Sequence, residues 1–209
     1  MGRVQFIGQL QTDCIACTAC PLYRQRTGPP VIYRGDIYSP VMLTGEAPGL
    51  REEQQGKPFV GPAGELLEKW LNWIGYSSNQ FYITNSGKCR PTSNVKGREN
   101  LTPAITAVRT CFNKHLIREI QELKPKLIIA CGKTAATVLG IIKSSEPIGP
   151  VLNQVKQLGI AGQTINCFTM RHPASLLHAQ HSNSYSLLRA EYIKCFRELK
   201  DLLSQIISI

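Results

Sequence analysis

Glu46, Asn85 and His172 each stand directly after, or one residue beyond, a segment that reads as a β-strand: Val41-Met42-Leu43-Thr44-Gly45, Phe81-Tyr82-Ile83-Thr84 and INCFTM. A carboxylate and an imidazole are groups that transfer protons, and a primary amide offers a paired donor and acceptor. Glu46 opens an unusual stretch, GEAPGLREEQQGKPFVGPAG (45–64), holding five glycines, three prolines, three acidic residues and a single aromatic, Phe59. Glycine permits close backbone approach and proline stiffens the path, so this is a shaped strand-to-helix turn with carboxylates left over for chemistry. Such turns at the carboxyl ends of strands are where open α/β sheets bind ligands.

The cysteines suggest a second kind of chemistry. Eight of them, in a chain with no recognisable secretory leader, point to metal rather than to disulfides. Cys14, Cys17 and Cys20 form CIACTAC, and Cys89 and Cys111 lie mid-chain, whereas Cys131, Cys167 and Cys195 sit in apolar surroundings as small buried thiols. Four thiolates suit an iron–sulfur cluster or a structural zinc, and spacing does not separate the two. Nor does spacing alone distinguish the Cys14/Cys17 pair from Cys17/Cys20.

The elements that must position these residues alternate. Strands are expected at about 41–45, 81–84, 127–131 and 165–170. Helices are expected from Pro62 or Ala63 to Ile74, from Thr102-Pro103 toward Pro125, from Lys133 to Ile142 and from Tyr185 to Ile207. Residues 150–163 are ambiguous, with a small hairpin as one reading. The pattern predicts a three-layer α/β/α fold around a central four-stranded parallel sheet, in one domain spanning 1–209 with a cysteine-bearing segment, 1–40, packed on it. In a parallel sheet the strand ends share one edge, so Glu46, Asn85 and His172 should meet in one crevice. Gly132-Lys133-Thr134 looks like the end of a P-loop, but Leu127 occupies the place of the first glycine, so no phosphate site is expected there.

Composition narrows the class. The 209 residues are 43% hydrophobic and 18% charged, ordinary for a globular fold, and 24 basic against 14 acidic residues give +10, a balance that suits a polyanionic partner such as DNA or RNA. No apolar run approaches the roughly 18 residues of a membrane span. A cytoplasmic, nucleoid-associated location is the expectation.

The strings GEAPG, GKPFVGPAGELL, YITNSGKCRP and RHPASLL, in this order, together with CTACPLYRQRT and PKLIIACGKTAA, resemble the family 4 uracil-DNA glycosylases, DNA-repair enzymes that carry a [4Fe-4S] cluster. The resemblance implies hydrolysis of the bond between uracil and deoxyribose, leaving an abasic site, on a base flipped from single- or double-stranded DNA. It implies that Glu46 positions water and stabilises the cationic sugar, and that His172 donates a hydrogen bond to uracil O2. Phe59 would stack on the base, Asn85 would pair with O4 and N3–H, and Gly45, Ala47, Pro48 and Gly49 would shape the pocket. Glu52 matches an acidic position of unassigned role. Cys17, Cys20, Cys89 and Cys111 match the cluster ligands, leaving Cys14 as a spare thiol and zinc as the lesser alternative.

Arg171, Lys88, Arg90 and Lys133 are the candidate phosphate contacts, and Leu176 and Leu177 the candidate wedges in the minor groove. Two features depart from the family. His178 takes the place of an arginine, and a basic insertion at 93–100, with Lys96 and Arg98, is either a DNA contact or a solvated loop. A monomer is expected. The competing reading is a catalytically silent DNA-binding or damage-sensing module on the same fold.

Overall fold

The computed structural model describes residues 2–92 and 101–207; the basic insertion lies outside the described residues. Val41, Leu43, Ile83, Leu127, Ile129, Phe168 and Met170 alternate with Met42, Tyr82, Ile128, Ala130 and Cys167, and the two sets fall into separate buried clusters. That period of two places apolar side chains on both faces of the same strands, which requires a layer of helices on each face.

The strands are β1 (Tyr33–Gly35), β2 (Val41–Gly45), β3 (Tyr82–Asn85), β4 (Leu127–Cys131), β5 (Val155–Ile160) and β6 (Gln163–Met170), in the sheet order β1-β3-β2-β4-β6-β5. β3, β2, β4 and β6 run parallel, as expected from the alternation. The sheet is nevertheless six-stranded, because β1 and β5 add antiparallel edges to β3 and β6. β1 is only three residues long, and β5 exposes most of its side chains, so neither has the buried apolar run that marks a central strand. The ambiguous region before β6 is a hairpin: Ala161 and Gly162 both adopt positive φ, the geometry of a two-residue β-turn that matches strand twist.

The helices are α1 (Arg3–Ile15), α2 (Leu22–Gln25), α3 (Leu50–Gln55), α4 (Pro62–Trp73), α5 (Ile105–Cys111), α6 (Ile117–Leu123), α7 (Lys133–Val138), α8 (Ala174–His178) and α9 (Tyr185–Ser204). α1, α5, α6 and α7 cover one face of the sheet, and α4, α8 and α9 the other. α1 was not expected; Phe6, Ile7, Leu10 and Cys14 form its buried stripe. The helix expected from Thr102 begins at Ile105, passes through a π-helical turn at Phe112–Leu116, and stops where Lys124 turns left-handed ahead of Pro125. α7 ends at Val138, short of Ile142, and Gly140 at φ 82 carries the chain away. No helix among the described residues is long and apolar enough to cross a membrane.

Candidate active site and cysteine pocket

The carboxyl ends of β2, β3, β4 and β6 open onto a cleft of about 720 Å³ lined by Glu46, Phe59, Asn85, Thr134 and His172, among others. Gly45 and Asn85 are register partners at the ends of β2 and β3. The pairing continues outward, with Ser86 N–H donating to Gly45 O at 2.9 Å and Gly87 N–H to Glu46 O at 2.8 Å. The crevice expected from the strand ends is therefore present, and its backbone is tied.

Phe59 reaches the cleft through a costly conformation. Its φ is +55°, a region that aromatic residues rarely adopt. Arg34 braces it, donating from Nε to Pro58 O at 2.8 Å and from Nη1 to Ser78 Oγ at 2.6 Å. The loop then lies against the first turn of α4, where a Cβ on Gly64 would fall 1.9 Å from the Phe59 carbonyl oxygen. Glu52 joins the brace by accepting from Gly61 N–H at 3.0 Å, so this acidic residue stitches α3 to the start of α4. The Phe59 ring covers Gly45: a Cβ there would sit 2.7 Å from Phe59 Cζ and 2.5 Å from Asn85 Oδ1. Gly45 is thus a position of empty space that lets Phe59 and Asn85 approach each other.

Glu46 is half-buried, and Thr134 Oγ1, in the first turn of α7, donates to its Oε2. Burial pushes the Glu46 carboxyl above its ordinary value, and the Thr134 hydrogen bond opposes that push. Across the cleft, His172 Nδ1 accepts from Ala174 N–H at 3.3 Å, which leaves the proton of a neutral ring on Nε2. Burial, with a smaller contribution from His178, pulls this imidazole down to about 4, so at neutral pH it is an uncharged donor. Tyr192 Oη fixes the strand end, lying 2.7 Å from His172 O and 3.1 Å from Arg171 O. Among the described residues no side chain hydrogen-bonds the Asn85 amide; the contact with Gly45 confines it, and Lys88 Nζ donates to its backbone carbonyl at 3.0 Å.

Three of the expected DNA contacts are corrected by burial. Lys88 is 1% exposed and pairs with fully buried Glu119 at 2.6 Å, with Tyr82 Oη donating to the other Glu119 oxygen. Arg90, 3% exposed, pairs with Glu53 at 2.8 Å and donates to Thr27 Oγ1. Burial would raise the Glu53 carboxyl, but hydrogen bonds from Thr27 and Arg90 outweigh it and hold the group below its ordinary value. Neither cation can reach a phosphate. Leu176 packs in the core under α9, leaving Leu177 half-buried and His178 exposed. Arg171 is partly exposed and paired with Glu191 at 2.7 Å, and Lys133 is exposed at the cleft's rim.

On the other side of Lys88, Cys17, Cys20, Cys89 and Cys111 line one small pocket, together with Cys14 and His115. Lys88 N–H points at Cys111 Sγ at 3.3 Å. Burial pushes the Cys89 thiol up to about 11 and those of Cys14 and Cys111 to about 12. His115 is 1% exposed, and neither of its ring nitrogens has a partner among the described residues. A buried imidazole left without a partner in a ring of thiols fits a pocket built for a group with its own hydrogen-bonding atoms. Among the described residues no three such side chains gather around one point as a single ion would need.

The uracil DNA glycosylase superfamily model matches residues 32–200, and the chain belongs to that superfamily. Among its relatives are proteins named type-4 uracil-DNA glycosylases. The type-4 uracil-DNA glycosylase of Pyrobaculum aerophilum is 37% identical over 163 residues, 77% of this chain and 79% of that protein. That of Saccharolobus solfataricus is 33% identical over 90% of this chain and 82% of its own. The Archaeoglobus fulgidus protein is 29% identical over 95% and 94%.

Sequence reasoning missed two residues that shape the site. Thr134 belongs to the triplet set aside as a failed P-loop, and Arg34 lies in a segment read only as loop. Neither is adjacent in sequence to the residue it holds, so no local signal announced it.

Proposed function

We propose that this protein excises uracil from DNA, working as a single-domain monomer that cleaves the N-glycosidic bond and leaves an abasic site for repair. The observation that carries the reading is the convergence of a carboxylate, a neutral imidazole donor, a confined amide and an aromatic ring in one cleft. Kinship with type-4 uracil-DNA glycosylases supports the choice of uracil. The net charge of +10 supports a DNA substrate.

The roles follow from the positions. Phe59 stacks on the flipped base, and Asn85 presents its donor and acceptor to O4 and N3–H. As the C1′–N1 bond breaks, its electron pair leaves on uracil, and negative charge gathers at O2, where His172 Nε2–H donates. A neutral donor suits this task because it needs no proton from solution. Water adds to the cationic C1′, and the ionised Glu46 carboxylate holds that water and takes its proton. Ala47, Pro48 and Gly49 form the wall beside Glu46, with Glu52 bracing the loop that carries Phe59. Lys133, Arg171 and Leu177 are the remaining candidates for contact with the DNA.

Cys17, Cys20, Cys89 and Cys111 are the residues that would hold a [4Fe-4S] cluster. Four thiolates would also suit a single zinc, and kinship with type-4 uracil-DNA glycosylases supports the polynuclear group. Bound there, the cluster would supply soft cross-links tying the end of α1 to the loop after β3 and to the last turn of α5.

The test is release of free base from oligonucleotides carrying one uracil, cytosine, hypoxanthine, or thymine opposite guanine. Release of uracil alone supports the reading. Release of another base in preference, or of none while DNA is still bound, overturns it, and the second result leaves the silent module standing.

A further inference from the structure

Gly132, Lys133 and Thr134, the triplet after β4, take no direct part in the bond cleavage described above, yet each has a definite place. Gly132, at φ 95, lets the chain pass His172, where a Cβ would lie 3.1 Å from that of the histidine. Lys133 stands on the rim of the cleft. Thr134 reaches across the sheet edge to Glu46, 88 positions away in sequence. No ion pair among the described residues involves Glu46.

We propose that Thr134 is a positioning residue for Glu46, its hydroxyl committing Oε2 and so leaving Oε1 as the oxygen that receives the proton of the attacking water. The inference rests on the reading of Glu46 as the catalytic carboxylate. In that step the water oxygen bonds C1′, the C1′–N1 pair leaves with uracil, and one water proton passes to Oε1. A carboxylate rotating about its terminal bond would present either oxygen at varying angles, and misplacement of about 1 Å can cost on the order of 100-fold in rate. The hydroxyl is the group that makes the contact, so any side chain that places an oxygen there suits the task.

The same hydroxyl also favours the ionised carboxylate against the effect of burial. Among the described residues the other titratable side chains lining the cleft are Arg51 and Glu52 of α3, Cys131 at the end of β4, Lys133 of α7, His172 just ahead of α8 and His178 at its end. None of them hydrogen-bonds the Thr134 side chain among the described residues, so a shift in the acid limb is the readout for Glu46.

The experiment compares wild type, Thr134→Val, Thr134→Ala and Thr134→Ser in single-turnover uracil release across pH, with thermal melting as the control for folding. Both hydroxyl-free variants should lose roughly 10- to 100-fold in rate. KM should not change, the acid limb should move to higher pH, and serine should restore rate and limb together. Wild-type rate and limb in the valine and alanine variants would overturn the proposal, as would a serine variant as slow as valine, because the hydroxyl would then be present without effect. A wild type that releases no uracil would be recognised in its own arm, and would remove the functional reading together with this one.

Discussion

The Phe59 ring lies 5.7 Å from the His172 imidazole, centroid to centroid, with their planes 31° apart. One ring comes from the loop after β2 and the other from the end of β6, so they approach from opposite sides of the cleft. A base stacked on Phe59 brings its edge within reach of a donor on His172. Replacing Phe59 with alanine should remove a stacking contribution of about 1–3 kcal/mol. That corresponds to a loss of roughly 5- to 150-fold in kcat/KM on uracil-containing DNA. Steady-state kinetics on a short uracil oligonucleotide measures it, and an unchanged kcat/KM would place the base elsewhere.

Acid should switch the enzyme off through Glu46 before it reaches His172. Burial holds the carboxyl above its ordinary value, so its ionised form is lost at a higher pH than for a solvated glutamate, whereas His172 takes up a proton only near 4. The rate–pH profile should therefore show its acid limb above the usual carboxylate range. Stability has a separate dependence. Between its ordinary 6.5 and about 4, His172 is protonated in the unfolded chain and neutral in the folded one. Folded stability falls as pH drops through that window. A His172→Gln variant should show a shallower decline of Tm there than wild type.

Lysines 88 and 133 should behave oppositely. Lys88→Met strands Glu119 as an uncompensated buried charge and should cost about 3–5 kcal/mol of stability. Denaturant titration measures that loss. Lys133→Ala should leave stability unchanged and reduce the slope of log affinity against log salt by about one, as expected for one lost phosphate contact. A Lys88 variant that weakens DNA binding at full stability would restore the surface role that its burial denies.

The cysteines separate by position. Cys14 is buried on the last turn of α1 among Phe6, Ile7 and Leu10, whereas Cys17 and Cys20 follow the helix. Visible absorbance of the purified protein should survive Cys14→Ala and be lost in the alanine variants of Cys17, Cys20, Cys89 and Cys111. Loss of the colour in the Cys14 variant alone would reassign the ligand set.

The sheet and the site were legible in the sequence to different depths. The ends of β2, β3 and β6 could be read because continuous apolar runs stop abruptly at Glu46, Asn85 and Arg171-His172. The short edge strand β1 and exposed β5 carry no such run, and α1 was hidden because its buried stripe shares residues with the cysteine cluster. Lys88 and Arg90 were misjudged for one physical reason: a cation in a polar loop reads as solvated unless its partner is known. Their partners, Glu119 and Glu53, stand 31 and 37 positions away. Phe59 lines the cleft, and its left-handed backbone depends on Arg34 and Gly64, which only the folded chain brings beside it.

The most direct test of the account is single-turnover uracil release by wild type and Glu46→Gln, with DNA affinity measured on the same samples. The glutamine keeps the shape of the side chain and removes its charge and basicity. Wild type should release uracil specifically, and the variant should be slower by roughly 100- to 10,000-fold with affinity retained. Equal rates in the two proteins would contradict it, and would move the chemistry away from the carboxylate at the end of β2.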